Sequence, residues 1–94
     1  MSYRLRYSDE AGRALREAAG RYRQRFRRTI QELADDPRPP HAAPMREPDF
    51  YKIRFDRWRL VYMVRDETGE LFILRVIEKT GPEAYLGLER PAQE

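Results

Sequence analysis

The sequence predicts a single α+β domain of order β-α-α-β-β-β, a helical hairpin packed on one face of a small, mostly antiparallel sheet. Three observations lead there. Apolar residues recur at helical spacing through the first third of the chain, and they alternate at strand spacing between residues 50 and 77. A proline-rich stretch separates the two regimes. The 94 residues suit one domain, 1–94, with one modest core.

Tyr3 to Tyr7 alternates and reads as a short first strand. Ser8 can cap a helix, with Asp9 and Glu10 in the first turn, where the dipole favours acids. Ala11, Ala14, Leu15 and Ala18 then keep to one helical face, and Gly20 is the expected stop. A second helix carries Tyr22, Phe26, Ile30, Leu33 and Ala34 on one stripe and ends before Pro37. Pro37 to Pro48 holds five prolines and reads as a loop; His41, within it, reads as a surface residue. Strands follow at about Phe50–Phe55, Trp58–Arg65 and Leu71–Ile77, joined by turns at Asp56-Arg57 and Asp66-Glu67-Thr68-Gly69. Tyr85 falls in a short helix or coil, and residues 86–94 read as a frayed tail.

Composition narrows the function. With no cysteine and a single histidine, disulfides, cysteine-type zinc sites and multi-histidine metal sites are excluded, and no cofactor is expected. No apolar run approaches the roughly 20 residues of a membrane span, and no signal peptide is recognisable, so no membrane role and a cytoplasmic location are expected. Net charge is only +3, yet of the nineteen basic residues all but Lys52 and Lys79 are arginine. Arginine-rich clusters suit phosphate recognition, while lysine differs as a compact point charge with a tunable pKa.

Side chains alternate faces along a strand. Tyr51, Ile53 and Phe55 share one face, and Lys52 and Arg54 the other. A two-residue turn at Asp56-Arg57 sets Phe55 against Trp58, Ile53 against Leu60 and Tyr51 against Tyr62, an apolar face for the helices. The same register sets Arg54 across from Arg59 and Lys52 across from Val61. Like charges directly opposite destabilise a strand pair. Such a patch is tolerated if water solvates it, if acids such as Asp56 or Glu78 pair with it, or if it binds an anion. Val61, Met63, Phe72, Leu74 and Val76 fall on that side too. A second apolar face predicts a partner or ligand, unless the terminal segment or the proline-rich loop covers it. On the second helix, Arg21, Arg25 and Arg28 lie opposite the apolar stripe, with Glu32 one turn beyond Arg28. They read as a solvated face with an i,i+4 pair, or as contacts to nucleic-acid backbone.

The order of elements and the charged strand residues resemble the RelE/ParE superfamily of toxins from toxin–antitoxin pairs, and the RelE branch most closely. The resemblance covers nearly the whole chain. It is most specific in Pro44-Met45-Arg46-Glu47-Pro48-Asp49-Phe50-Tyr51-Lys52-Ile53-Arg54 and in Trp58-Arg59-Leu60-Val61-Tyr62, and is completed by the last strand, the basic residue after it and Tyr85. It implies a ribosome-dependent mRNA endonuclease held in check by a cognate antitoxin protein. Carried over residue by residue, it implies that Lys52 and Arg54 flank the scissile phosphate and that Arg59 binds that phosphate or its developing charge. Lys79 stands where relatives often have arginine, Tyr85 where they have a tyrosine that stacks on or orients a base, and Arg46 at a basic position that touches RNA. Arg54 departs from the pattern, since close relatives have a second lysine there.

The implied reaction is attack of a ribose 2′-hydroxyl on its own phosphate, giving a 2′,3′-cyclic phosphate and a free 5′-hydroxyl. Fixed cations stabilise the phosphoryl charge, a stacked base fixes the geometry, and no metal is needed. Lys52 is the candidate base and Lys79 the candidate acid. Two other readings stand beside this one: a ParE-like toxin that inhibits DNA gyrase by protein–protein contact, and an inactive RNA-binding member of the family.

Overall fold

The computed structural model describes residues 2–78. Strand β1 (Arg4–Tyr7) leads into helices α1 (Asp9–Glu17) and α2 (Gly20–Asp35). Strands β2 (Ala43–Pro44), β3 (Phe50–Phe55), β4 (Trp58–Arg65) and β5 (Glu70–Glu78) follow. The sheet has the order β1-β5-β4-β3-β2, with β1 parallel to β5 and every other pair antiparallel. The α+β class and the element order are those expected from the sequence. The two-residue β2 is an addition that its proline concealed.

Local chemistry accounts for the boundaries. Ser8 caps α1 by accepting the Ala11 N–H at 3.0 Å. The break between the helices falls at Ala18 and Ala19, both with extended ψ, and Gly20 is the first residue of α2 rather than the stop after α1. Arg23 closes the first helix from outside, donating to the carbonyls of Arg16 and Ala18 at 2.9 Å each. Those carbonyls have no partner within the helix, so a cation there is favourable. Asp36 ends α2 one residue before Pro37.

The helices cover one sheet face. Phe26, Ile30 and Leu33 of α2 and Ala11 of α1 pack with Ile53, Leu60, Tyr62, Val64, Leu71, Ile73 and Val76. Each large side chain fully buried there contributes roughly 1.5–3 kcal/mol. Trp58 closes one end, with its ring centroid 5.4 Å from Phe26 and 5.7 Å from Tyr22.

On the other face, one expectation needs correction and one alternative left open by the sequence is decided. Strict alternation assigns Val76 to it, but Tyr62 pairs with Ile73 while Val61 pairs with Arg75, so Leu74 is an extra residue and the phase of β5 shifts. Val76 therefore joins the helix-side core. The bulge is fastened from the helix side: Ser8 Oγ donates to the Leu74 carbonyl at 2.6 Å, and Arg75 Nε donates to Glu10 at 2.7 Å. Nor is the second apolar face open. Phe50, Met63, Phe72 and Leu74 form a second buried cluster, with Met45 of the proline-rich loop packed on it. The Arg65 and Arg6 guanidinium carbons lie 4.9 and 5.6 Å from the Phe72 ring centroid.

At the end of the sheet remote from Trp58, a polar network ties the loop down. Tyr62 donates its buried hydroxyl to the Pro37 carbonyl at 2.7 Å and stacks on Tyr51 at 5.6 Å. Arg38 bonds both Tyr51 and Asp66, and Tyr3 donates to the same carboxylate at 2.6 Å. The paired donors hold the Asp66 carboxyl below its ordinary range, with Arg38 the larger cause. Burial pushes the Tyr62 phenol well above its ordinary value. Among the described residues no helix is long and apolar enough to cross a membrane.

Candidate active site

The expected register of the β3–β4 hairpin is the observed one. Arg54 pairs with Arg59, Lys52 with Val61 and Phe55 with Trp58 across a two-residue turn. Directly opposed antiparallel residues have Cα atoms roughly 4.5–5.5 Å apart, so the Arg54 and Arg59 stems start as neighbours. The register extends across the sheet: Lys52 lies between Ala43 and Val61, and Arg59 between Arg54 and Ile77. Three cations thus share one corner of the sheet, on the face away from the helices, beside the aliphatic Val61 and Ile77.

The acids that the sequence offered as partners for this patch are taken elsewhere. Asp56 pairs with Arg25 of α2 at 3.1 Å, and Glu78 with Arg57 at 3.2 Å. Arg54 is exposed and, among the described residues, has no acidic partner. Arg59 is half-buried and folds back on its own turn. Its Nη1 donates to the carbonyls of Asp56 at 3.2 Å and Trp58 at 2.9 Å. Neutral carbonyls leave the guanidinium charge in place, so an anion approaching this corner meets two guanidinium groups, Arg54 and Arg59, that have no acidic partner among the described residues.

The other expected site residues are placed as follows. Arg46 is exposed in the connection just before β3, where the Phe50 N–H bonds the Glu47 carbonyl and Asp49 adopts a positive φ of 72°. Arg21 and Arg28 are exposed on α2, with the Arg21 guanidinium 5.1 Å from the Tyr22 ring centroid. Arg28 and Glu32 make no ion pair, both side chains being solvated on an open helix face. Arg25 departs from that face by bonding the hairpin turn. Its partnership with Asp56 was not legible in the sequence, because the residues are 31 positions apart and on different elements. Lys79 and Tyr85 lie outside the described residues.

Comparison with known proteins agrees with this fold. The family model for the ParE toxin of type II toxin–antitoxin systems matches residues 3–80. The mRNA interferase toxin RelE of Escherichia coli is 30% identical over 87 residues, 90% of this chain and 92% of that protein. The crystal structure of the isolated E. coli RelE toxin superposes with a TM-score of 0.77 at 28% identity, covering 89% of this chain and 92% of that one. The toxin–antitoxin complex RelBE of E. coli gives a TM-score of 0.77 at 27% identity, covering 85% of this chain and 100% of the matched one. A family match over most of the length, and a fold that places the three cations on one corner of the sheet, lead to one assignment: the chain belongs to the RelE/ParE family of type II toxin–antitoxin toxins and is RelE-like in sequence and fold.

Proposed function

We propose that this RelE-like toxin is an endoribonuclease that cleaves mRNA on the ribosome, and that Lys52, Arg54 and Arg59 form the described part of its active site. The observation that carries the reading is the Arg54–Arg59 cross-strand pair beside Lys52. A like-charge pair is unfavourable for the sheet, and a phosphate that develops charge repays it.

The chemistry follows from the placement. A new bond forms between the ribose 2′-oxygen and phosphorus as the bond from phosphorus to the 5′-oxygen breaks. Lys52, acting as its neutral amine, accepts the 2′-hydroxyl proton and becomes an ammonium, and Lys79, acting as its ammonium, supplies one to the departing 5′-oxygen. Arg54 and Arg59 lie across the strands from each other and stabilise the phosphoryl oxygens, where fixed donors act most strongly. Tyr85 orients the neighbouring base by stacking. Arg46, Arg21 and Arg28 add contacts to the nucleic-acid backbone, which give affinity without sequence preference. The cleavage needs no metal. A cognate antitoxin neutralises the toxin by covering the basic corner; that the similar E. coli RelE forms a toxin–antitoxin complex supports a partner of this kind.

The test is cleavage of a defined mRNA on programmed ribosomes, with ends mapped by primer extension. Cuts in the ribosomal A-site that are lost in Lys52→Ala and Arg59→Ala are the expected result. Intact mRNA from protein that is folded and still arrests growth overturns the reading in favour of the gyrase-directed alternative. The ParE description of the family model gives that alternative its support, and gyrase supercoiling is its assay.

A further inference from the structure

The end of the β3–β4 hairpin is held from two sides. Inside, Trp58 packs against Tyr22 and Phe26. Outside, Arg25 reaches from α2 to the Asp56 carboxylate at 3.1 Å. Asp56 itself adopts a positive φ of 49°, a region where aspartate is enriched but most residues are disfavoured. The carbonyl of this same residue accepts Arg59 Nη1 at 3.2 Å. A chain of contacts therefore runs from Arg25 through the Asp56 side chain and main chain to the Arg59 guanidinium. Nη1 is spent on the turn carbonyls, while Nη2 and Nε of Arg59 have no hydrogen-bond partner among the described residues. They form the edge still able to meet a phosphate.

We propose that Arg25 and Asp56 are positioning residues that fix the Arg59 guanidinium for RNA cleavage; this rests on the endoribonuclease reading above. An arginine on a hairpin tip has many rotamers to lose, and a group held in place before the reaction stabilises the transition state better than one that must be ordered during it. An exposed ion pair adds little to folding stability, so the link acts on Arg59's position rather than on the fold. Arg25 thereby moves from the set of backbone contacts to the support of the site.

The experiment measures single-turnover cleavage on programmed ribosomes across toxin concentrations, giving a maximal rate and a half-saturating concentration. The variants are Asp56→Asn, Arg25→Gln and Arg25→Lys. Asparagine tolerates positive φ, so the turn survives the first change. Expected are a roughly 10- to 100-fold slower maximal rate for Asp56→Asn and Arg25→Gln, unchanged half-saturation, and rescue by Arg25→Lys. The Arg59 Nε–H resonance should shift in both slow variants while the melting temperature holds. A backbone contact at Arg25 predicts the opposite pattern: Arg25→Gln weakens half-saturation and Asp56→Asn, which removes a negative charge, tightens it. That pattern, or wild-type rates in both, overturns the proposal. Cleavage absent from the wild type itself overturns the endoribonuclease reading and this proposal with it, an outcome distinct from loss in the variants alone.

Discussion

Arg38 forks onto Asp66, its Nη2 lying 2.8 Å from Oδ2 and its Nη1 3.4 Å from Oδ1. This contact joins the proline-rich loop to the β4–β5 turn, and Tyr3 adds the N-terminal strand through the same carboxylate. The Asp66 carboxyl is depressed below its usual 3.8 by these donors. A group with a lowered folded pKa stabilises the fold fully above its unfolded value, and that stability is lost as pH falls through the folded value. Asp66→Asn should therefore melt lower than wild type at neutral pH. The difference should shrink below about pH 4, where the unfolded carboxylate takes up its proton. Melting curves from pH 7 to pH 2 check this. A constant gap between the two proteins contradicts it.

Tyr62→Phe should cost about 0.5–1.5 kcal/mol in urea unfolding, the net worth of an ordinary hydrogen bond, because the Pro37 carbonyl loses the hydroxyl that bonds it at 2.7 Å. Burial raises the Tyr62 phenol above its usual 10.0. Its stabilising contribution is complete below that unfolded value and declines as pH rises towards the folded one. The alkaline loss of stability should thus be shallower in Tyr62→Phe than in wild type.

Arg54→Thr should raise stability by about 0.2–1 kcal/mol, since it removes a like-charge cross-strand pair and adds a β-branched residue. The same variant should lose mRNA cleavage. Thermal melting and the primer-extension assay read the two effects separately, and a destabilised Arg54→Thr shows that the pair is not repulsive.

Ser8→Ala should cost about 1–2 kcal/mol, towards the upper end for a cap. The same hydroxyl oxygen accepts the Ala11 N–H and donates to the Leu74 carbonyl. Chemical unfolding should show a lower midpoint with an unchanged slope.

The placement of the candidate site residues was legible where the geometry is local. Two turn residues and a period of two set Arg54 against Arg59 and Lys52 against Val61, and the observed register is the same. What escaped the sequence is non-local or breaks the period. The extra residue at Leu74 carries no glycine or proline to mark it, and it moved Val76 to the other face. The Ala43–Pro44 bridge lies in a stretch whose prolines argue against a strand. Arg25 looked like one more solvated cation until the fold set it beside Asp56. Arg38, Asp66 and Tyr3, spread over 63 positions, meet only in the folded chain.

The parallel pairing of β1 with β5 has a consequence for how the toxin comes into being. Arg4 to Tyr7 are matched with Glu70 to Ile73, so the first strand waits for the last described one. Helix α1 is fastened to the same strand through Ser8 and Glu10. Contacts so distant in sequence make closure slow, and they withhold the finished fold from a nascent chain until residues 70–78 have been synthesised. A chain that stops short of those residues lacks the strand that joins β1 and α1 to the β3–β4 hairpin, so the sheet cannot close before then.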